Sequence, residues 1–494
     1  MQKPDPPRYR FGPLERRGLI AGWRGGQIAS VAAGLVVAVT VLRARPDVAG
    51  GVLALVALAG GVGVACWPVG GRSAEEWVPT ISRWGADTAA HRRRWRSPGP
   101  GAGHTVGRGA HSRRPEVFSV DPGPFGGLSV LAVDGGHGKT RAMAVVHDAR
   151  ERTYTAALAV RGHSFALLGA DEKERRVSGW SGVLASLARE GSVIHRLQWL
   201  AQALPDDGAA VRAHVSEHAM APGDSDVARS YAALLDGAGA DTCRHEVLLV
   251  LQVREAKGRG SMQHRQRESC VALLREIESM QRLIGDADVT VDGLLGARDL
   301  VGVLRRNGDA SGPTVRVDDN ALATTSPWPM GVDVEWDRVR TDRVWHATYW
   351  IAEWPRIDVG PDFLAPLLLG PVRRCVSVVM EPISPSRATR QVEQARTADI
   401  ADSELRRRGG FLSTARRARE AEIVVRREAE LADGHASFRF SGYVTVSAAS
   451  TEGLDEACQV TEQAAGQAHL ELRRLYGEQG RALTCTLPLC RGLS

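Results

Sequence analysis

The sequence lacks paired cysteines. Its seven cysteines are odd in number and scattered, and none forms a CxxC pair in histidine-rich surroundings; they are Cys66, Cys243, Cys270, Cys375, Cys458, Cys485 and Cys490. Neither a zinc site nor a disulfide framework is therefore supported. The pattern predicts reduced and mostly buried thiols in a cytoplasmic protein.

The chain also lacks a strong excess of one charge, since its formal net charge is +6. The basic surplus is concentrated in two places that flank an apolar region: before Gly25, and between Arg72 and Arg96. A nucleic-acid binder usually shows a concentrated basic patch, so the second cluster leaves that reading open as an alternative. We expect no direct sequence-specific contact with nucleic acid.

No complete motif for nucleotide chemistry is present. The nearest approach is the run from Asp134 to Thr140, in which Gly138-Lys139-Thr140 fits the end of a phosphate-binding loop but Val133 occupies its first glycine position. Such a loop needs a helix after it, whereas strand-like residues follow here. A glycine-rich hairpin turn is the favoured interpretation.

Histidine-based and serine-based sites are equally unsupported. His214 and His218 have the i,i+4 spacing of metal ligands, but no HExxH motif accompanies them and no GxSxG motif occurs. A solvated helix face accounts for the pair. We therefore predict that the protein is not an enzyme, with no catalytic residue, no metal and no cofactor.

Long apolar runs are what the sequence does contain. The run from Gly25 to Leu42 has no charged residue, which is about the 18-residue lower limit for a membrane helix. A break from Arg43 to Asp47 contains Pro46, and a second uncharged run then continues from Val48 to Val69. Gly60, Gly61 and Gly63 in the second run predict close helix packing. These features indicate a two-helix transmembrane hairpin spanning residues 25–71.

The flanking charges predict its orientation. Both outer ends are rich in arginine, so the positive-inside rule places the N-terminal tail, residues 1–24, and everything after the hairpin in the cytoplasm. Arg43 and Arg45 in the turn oppose this weakly. The predicted location is the inner (plasma) membrane, as a multi-pass protein with a cytoplasmic C-terminal body.

Residues 72–115 form the next predicted segment. It begins as an amphipathic helix with Trp77, Ile81 and Trp84 on one face, and it ends in a Gly/Pro-rich linker. Arginines beside tryptophans most simply contact anionic lipid headgroups. The candidate membrane-interface residues are Arg72, Trp77, Trp84, Arg92, Arg93, Arg94 and Trp95.

The rest of the chain alternates strand-like and helix-like segments. Each of two halves, residues 116–310 and 311–494, contains a strand, a long helix and another strand in succession. The predicted fold is therefore a membrane-anchored α/β (α+β) protein with two ferredoxin-like split βαβ halves. Arginine- and glutamate-rich helices over residues 386–432 predict either a solvated arm or a partner-binding surface. Ser450 is predicted to cap a helix reaching Tyr476, and a last strand is predicted from Ala482 to Pro488.

Several of these segments resemble a known arrangement. The hairpin and the following Glu-Glu-Trp77 segment resemble the PrgI-like inner-membrane subunit of type IV secretion systems. The body is similar to the N-terminal, non-ATPase domain of the TrbE/CagE-type conjugation ATPase, over diffuse patterns in residues 120–493. The matching stretches are 162–168, 172–180, 193–199, 244–250, 470–476 and the tail Leu487-Pro-Leu-Cys-Arg-Gly-Leu493. The chain also resembles actinobacterial membrane proteins of this size and layout that are encoded with conjugation-like genes.

The resemblance implies a non-enzymatic structural subunit of a type IV-like secretion or conjugation apparatus, which takes part in protein transport. Its implied partners are membrane lipids, a separate secretion ATPase, other membrane subunits and its own copies in a homo-oligomer. A type VII secretion membrane component (EccE-like) is the alternative. A nucleotide-binding enzyme that uses Lys139 is the second alternative.

Overall fold

The computed structural model describes most of the chain. The described residues are 25–66, 68–69, 72–96, 117–119, 124–133, 143–162, 168–205, 214–215, 217–218, 225–238, 243–256, 260–306, 328–408 and 415–493. The Gly-rich run from Asp134 to Thr140, with Lys139, lies outside them, as do Trp67, the N-terminal tail and the predicted Gly/Pro linker.

The N-terminal part consists of helices and short strands. Its elements are α1 (Gly25–Ala44), α2 (Val48–Cys66), β1 (Pro68–Val69), β2 (Arg72–Ser73), α3 (Ala74–Ala89) and β3 (Arg94–Arg96). Of the described helices, α1 is long and apolar enough to cross a membrane, by length and composition, over Gly26–Ala44. Only 6% of that stretch is buried within the protein, so α1 is not a core helix. The apolar part of α2, Val48–Gly63, is shorter.

The first half of the body is mainly strands joined by helices. Its elements are β4 (Val117–Ser119), β5 (Leu128–Val133), β6 (Met143–Asp148), β7 (Thr153–Gly162), α4 (Ala170–Leu187), β8 (Ile194–Pro205), α5 (Asp226–Ala238), β9 (Cys243–Arg254), α6 (Met262–Asp286), β10 (Val289–Leu294) and α7 (Ala297–Arg306). Strands and helices alternate through this half as predicted, because long apolar runs and helical spacing are local signals.

The second half repeats that plan. Its elements are β11 (Gly331–Val334), β12 (Val339–Thr341), β13 (Val344–Glu353), α8 (Ala365–Leu368), β14 (Arg374–Ile383), α9 (Pro385–Arg408), α10 (Ala415–Ala432), β15 (Ser437–Ala448), α11 (Thr451–Gln467), β16 (Glu471–Arg474), α12 (Gln479–Leu483) and a 3₁₀ turn (Thr484–Thr486). Ser450 caps α11 as predicted, since its hydroxyl accepts a hydrogen bond from the Gly453 amide.

Two predictions near the C-terminus are wrong. The capped helix ends at Gln467 rather than Tyr476, because His469 adopts a positive φ of 56° and the chain then joins the sheet as β16. The stretch predicted as a last strand, Ala482 to Pro488, is instead the end of α12 and the 3₁₀ turn. In both cases a non-local contact overrides the local apolar pattern.

One large sheet runs through both halves. In the first half the strand order is β10-β7-β9-β8, and in the second it is β16-β13-β15-β14, with all these pairs antiparallel. The two sets join where β8 pairs antiparallel with β14, from Leu197 opposite Met380 to Ala203 opposite Arg374. The protein is therefore an α+β protein with a large antiparallel sheet.

Helices cover one face of this sheet. In the first half, α4 and α6 supply buried apolar side chains such as Val183, Leu273 and Ile277. In the second half, α8 and α11 do the same through Leu367 and Leu454. Burying these side chains on folding contributes about 1.5–3 kcal/mol each.

The C-terminal segment lies across the opposite face. Gln198 on β8 is fully buried, and its Nε2 donates to the carbonyls of Cys485 (3.1 Å) and Leu487 (2.9 Å) while its Oε1 accepts from the Cys490 amide (2.9 Å). Arg196 donates to the Leu493 carbonyl at 2.6 Å. The segment thus crosses the middle of the sheet through side-chain hydrogen bonds rather than strand pairing.

Candidate membrane-proximal site

The site begins at the α1–α2 pair, whose backbones come very close. A Cβ placed on Gly34 would lie 3.1 Å from the Gly61 Cα, and one on Gly61 would lie 3.0 Å from the Ser30 carbonyl oxygen. The two helices also share a hydrogen bond from Gln27 to the Ala65 carbonyl at 2.9 Å. Gly61 thus occupies the packing position predicted from the sequence.

The other two predicted packing glycines do not share this role. A Cβ on Gly60 or Gly63 would meet nothing within 4 Å. They lie away from the closest approach to α1, so close packing at this crossing depends on Gly61.

The outer surface of the α1–α2 pair is apolar and uncovered. Large aliphatic side chains on both helices are half or more exposed, and they include Leu35, Val36, Leu42, Val48, Val52, Leu55 and Val56. A contiguous apolar surface of this kind is rare on soluble monomers, and it marks a surface that contacts a membrane or another protein.

After the α1–α2 pair, α3 packs on the body through two tryptophans. The Trp77 ring stacks on Trp336 with ring centroids 6.0 Å apart, and it also lies 6.5 Å from Tyr476. The Trp84 ring meets Trp336 edge-on at 5.2 Å. Aromatic pairs contribute about 0.5–1.5 kcal/mol each beyond the area that they bury. Both rings are half-buried, so they hold α3 against the turn between β11 and β12.

The helix face that contacts the body differs from the predicted one. Thr80, not Ile81, lies between the two tryptophans and is buried, whereas Ile81 is 54% exposed and Val78 is 64% exposed. Positions 77, 80 and 84 form one i, i+3, i+7 stripe, which is as regular a helical pattern as the predicted one. The neighbouring apolar positions 78 and 81 stay on the surface.

The arginines next to α3 divide into two groups. Arg93 is half-buried: its guanidinium lies 4.1 Å from the Trp84 ring centroid, and its Nε donates to the Val334 carbonyl at 3.1 Å. Arg92 and Arg94 are exposed. Arg94 approaches Asp333 at 3.7 Å, which is a surface pair of small energetic value.

Trp95 joins the body through β3. Its backbone pairs with Val332 on β11, and its ring packs at the edge of a buried cluster that includes Leu487. Next to it, Arg96 donates to Asp333 at 2.9 Å, and this hydrogen bond raises the pKa of Arg96. The backbone of Arg72 pairs with Val69 in β1–β2, while its side chain lies outside the described residues.

The structure therefore brings most of the candidate interface residues together at one end of the body. Trp77, Trp84, Arg93 and Trp95 pack against the body, whereas the side chains of Arg92 and Arg94 are exposed. The lipid contact expected of all seven stays a prediction. Sequence patterns do not predict Trp336 or Tyr476 as partners of α3, since these residues lie about 250 to 400 positions away. The local signal is an isolated tryptophan in the polar run Glu335–Arg338.

The two histidines with i,i+4 spacing contact each other. The rings of His214 and His218 stack with centroids 4.2 Å apart, and the His218 Nδ1 lies 3.0 Å from the His214 carbonyl. Among the described residues there is no group of three or more side chains able to hold a metal ion.

No protein-family model matches this chain, and no curated protein matches it.

Proposed function

We propose that this chain is a non-enzymatic inner-membrane structural subunit of a type IV-like secretion or conjugation apparatus, which docks a separate cytoplasmic ATPase. The observation that supports membrane anchoring is the uncovered apolar surface of α1 and α2. The class of machine rests on the resemblance described above.

In this proposal both helices enter the membrane as a hairpin. The contact between Gly34 and Gly61 lets α2 pack on α1 without lipid between them, and Arg43, Arg45 and Asp47 lie together in the turn at the outer surface. The shorter apolar part of α2 is accommodated because neighbouring polar residues reach the interface and the bilayer thins locally. The N-terminal tail and the body then share the cytoplasmic side.

The strand order supports the proposed kinship of the body. If only β7 to β10 in the first half and β13 to β16 in the second are counted, in chain order, both sets follow 4-1-3-2, which is the order of a ferredoxin-like split βαβ fold. Two such halves joined edge to edge are what the resemblance to the non-ATPase domain of conjugation ATPases implies.

The contact between α3 and Trp336 gives the anchor a mechanical role. A flexible tether would let the body diffuse within the length of the linker, whereas stacked aromatic rings hold it in one orientation at the membrane surface. The exposed Arg92 and Arg94 then face anionic headgroups. A body fixed in this way offers its α9–α10 pair and its other surfaces to an ATPase and to further copies.

Membrane anchoring is tested by extraction of membranes with sodium carbonate and by topology reporters. We expect the full chain to resist extraction, a periplasm-active reporter to be inactive after Arg72, and the same reporter to be active after Pro46. Leu55→Arg places a charge at an exposed position of α2 and costs about 2.5–3.5 kcal/mol of insertion free energy. Ile81→Arg on α3 is the matched control and leaves insertion unchanged. A wild-type chain released by carbonate contradicts the anchor.

The machine is tested by purification of the full chain from its native membranes in mild detergent. We expect a hexameric motor ATPase to accompany it. Components of a type VII machine in its place support the EccE-like alternative and overturn the type IV-like assignment. ATP binding by the purified chain that disappears in Lys139→Ala supports the nucleotide-binding alternative instead.

A further inference from the structure

A groove runs along one side of the α1–α2 pair near its turn. Its floor is made of small residues, Ala38, Gly51 and Ala54, of which the two alanines are buried. Its walls are the aliphatic side chains Leu35, Val39, Leu42, Leu55 and Leu58. The groove holds about 980 Å³ of space that is open to the surroundings.

One cation lines this otherwise apolar groove. Arg43 lies at the end nearest the turn, and its side chain is exposed. The nearby carboxylate of Asp47 caps α2, where its Oδ1 accepts a hydrogen bond from the Gly50 amide at 2.7 Å. The groove therefore combines a long apolar slot with a positive charge at one end.

The length of the groove matches one leaflet of a bilayer. From Leu35 to Arg43 it extends about 12 Å at 1.5 Å per residue, which is close to half of a hydrocarbon core of about 30 Å. Beyond Leu35 the groove closes, because the backbones of α1 and α2 touch at Gly34 and Gly61. A transmembrane helix of a second copy would need a groove along the whole span, and it would press its own apolar surface against Arg43.

We propose that this groove binds one anionic phospholipid, with an acyl chain between the leucine walls and the phosphate at Arg43. The inference rests on the proposed membrane insertion of both helices. The bound lipid lies in the leaflet next to the turn between α1 and α2. This site is distinct from the headgroup contacts expected of the arginines near α3, which lie at the other membrane surface.

The test uses the purified full chain in detergent, titrated with phosphatidylglycerol or phosphatidylcholine of the same acyl composition and observed by native mass spectrometry. We expect phosphatidylglycerol to bind about fivefold more tightly, since one arginine near a membrane surface contributes about 1 kcal/mol. Arg43→Gln removes that preference. Arg45→Gln is the matched control: it changes a turn arginine that does not line the groove, and it keeps the preference.

A second variant tests the slot itself. A Cβ on Gly51 meets nothing within 4 Å, so Gly51→Leu fits the fold while it fills the groove. We expect this variant to lose retention of both lipids. Equal lipid binding by Gly51→Leu and wild type, or equal effects of Arg43→Gln and Arg45→Gln, would overturn the proposal. If Gly51→Leu changes the oligomeric state and leaves lipid retention intact, the groove is a contact between copies and the lipid site is wrong.

Failure of this proposal is separable from failure of the anchor. Carbonate extraction of wild type, Arg43→Gln and Gly51→Leu reports membrane insertion without reference to lipid preference. Three inserted proteins that show no lipid preference overturn the site alone, whereas extraction of the wild type overturns the insertion on which the site rests.

Discussion

Gly477 is the position at which a single methyl group can separate α3 from the body. Its φ is +73°, and a Cβ there would lie 2.8 Å from the Thr80 Cγ2 and 2.8 Å from the Trp336 Cζ3. Gly477→Ala therefore adds two costs: about 1–2 kcal/mol for a left-handed backbone at a non-glycine residue, and about 1–3 kcal/mol for overpacking against α3. Only the second cost acts on the contact between α3 and the body.

Gly434 provides the matched control. Its φ is +88°, but a Cβ there meets nothing within 4 Å, so Gly434→Ala carries the backbone cost alone. The assay is amide hydrogen exchange of the full chain in detergent micelles, read on peptides of α3 and on peptides of the central strands β8 and β9. We expect Gly477→Ala to increase exchange in α3 by about 5- to 150-fold, the equivalent of about 1–3 kcal/mol, and Gly434→Ala to leave α3 unchanged.

A further substitution checks the cause. Thr80→Ser removes the methyl group that the new Cβ would strike, so we expect Thr80→Ser to restore part of the α3 protection that Gly477→Ala loses. If α3 exchanges equally in Gly477→Ala and Gly434→Ala, the helix does not rest on Gly477 and Trp336, and the proposed fixed orientation of the body is wrong.

Three further predictions concern the body. Gln198→Leu leaves two buried carbonyls and one amide of the C-terminal segment without hydrogen-bond partners, and each unpaired group costs about 1–3 kcal/mol of stability. Carboxypeptidase should then digest that segment. It should not do so in the control Gln202→Leu, because the buried Nε2 of Gln202 has no hydrogen-bond partner to lose. Burial lowers the pKa of His346 to about 3, so below about pH 6.5 this histidine is protonated in the unfolded state but stays neutral in the folded state. The free energy of unfolding should therefore fall by about 2 kcal/mol between pH 6.5 and 5. Unfolding midpoints measured at both pH values should show a smaller fall for His346→Gln, and the same fall as wild type for the exposed His435→Gln. Burial also raises the pKa of five buried thiols, those of Cys270, Cys375, Cys458, Cys485 and Cys490. We expect these thiols to react with a thiol-specific alkylating reagent only after unfolding. Labelling of any of the five in the native protein, detected by mass spectrometry, would contradict this prediction.

The thiol prediction extends the sequence-based prediction of mostly buried thiols, and the structure agrees with the burial part of that prediction. Six cysteines are free, and five of these are buried while Cys243 is partly exposed; they are Cys243, Cys270, Cys375, Cys458, Cys485 and Cys490. Scattered cysteines in apolar runs were sufficient for this inference, because burial follows from the strands and helices that carry them.

Local patterns predicted most of the elements but not their partners. The apolar run from Cys243 to Arg254 is a strand in the structure, and Ser450 caps its helix, because both depend on neighbouring residues. The stretch Leu470–Leu475 was expected to be helical, yet it pairs with β13 at Trp350 and Ile351. Its apolar spacing suits either structure, so only the available strand edge decides between them.

The candidate site shows the same division. The sequence identified Trp77, Trp84 and Arg93 as important for the segment after the apolar helices. It assigned them to the membrane, since tryptophan beside arginine is typical of an interface. In the structure the two rings pack on Trp336 instead, and Arg93 donates to the Val334 carbonyl. Partners some 250 positions away cannot be inferred from the spacing of residues on one helix.

By itself the sequence determined the apolar helices at the N-terminus, the alternation of strands and helices, and the lack of a recognised catalytic motif. These follow from composition and short-range periodicity, which do not depend on distant residues. The tertiary structure alone decided that β8 joins β14 into one sheet, that the C-terminal segment crosses this sheet, and that α3 rests on Trp336. Each of those depends on contacts between distant parts of the chain, and the free energy of such contacts comes from shape and burial in three dimensions.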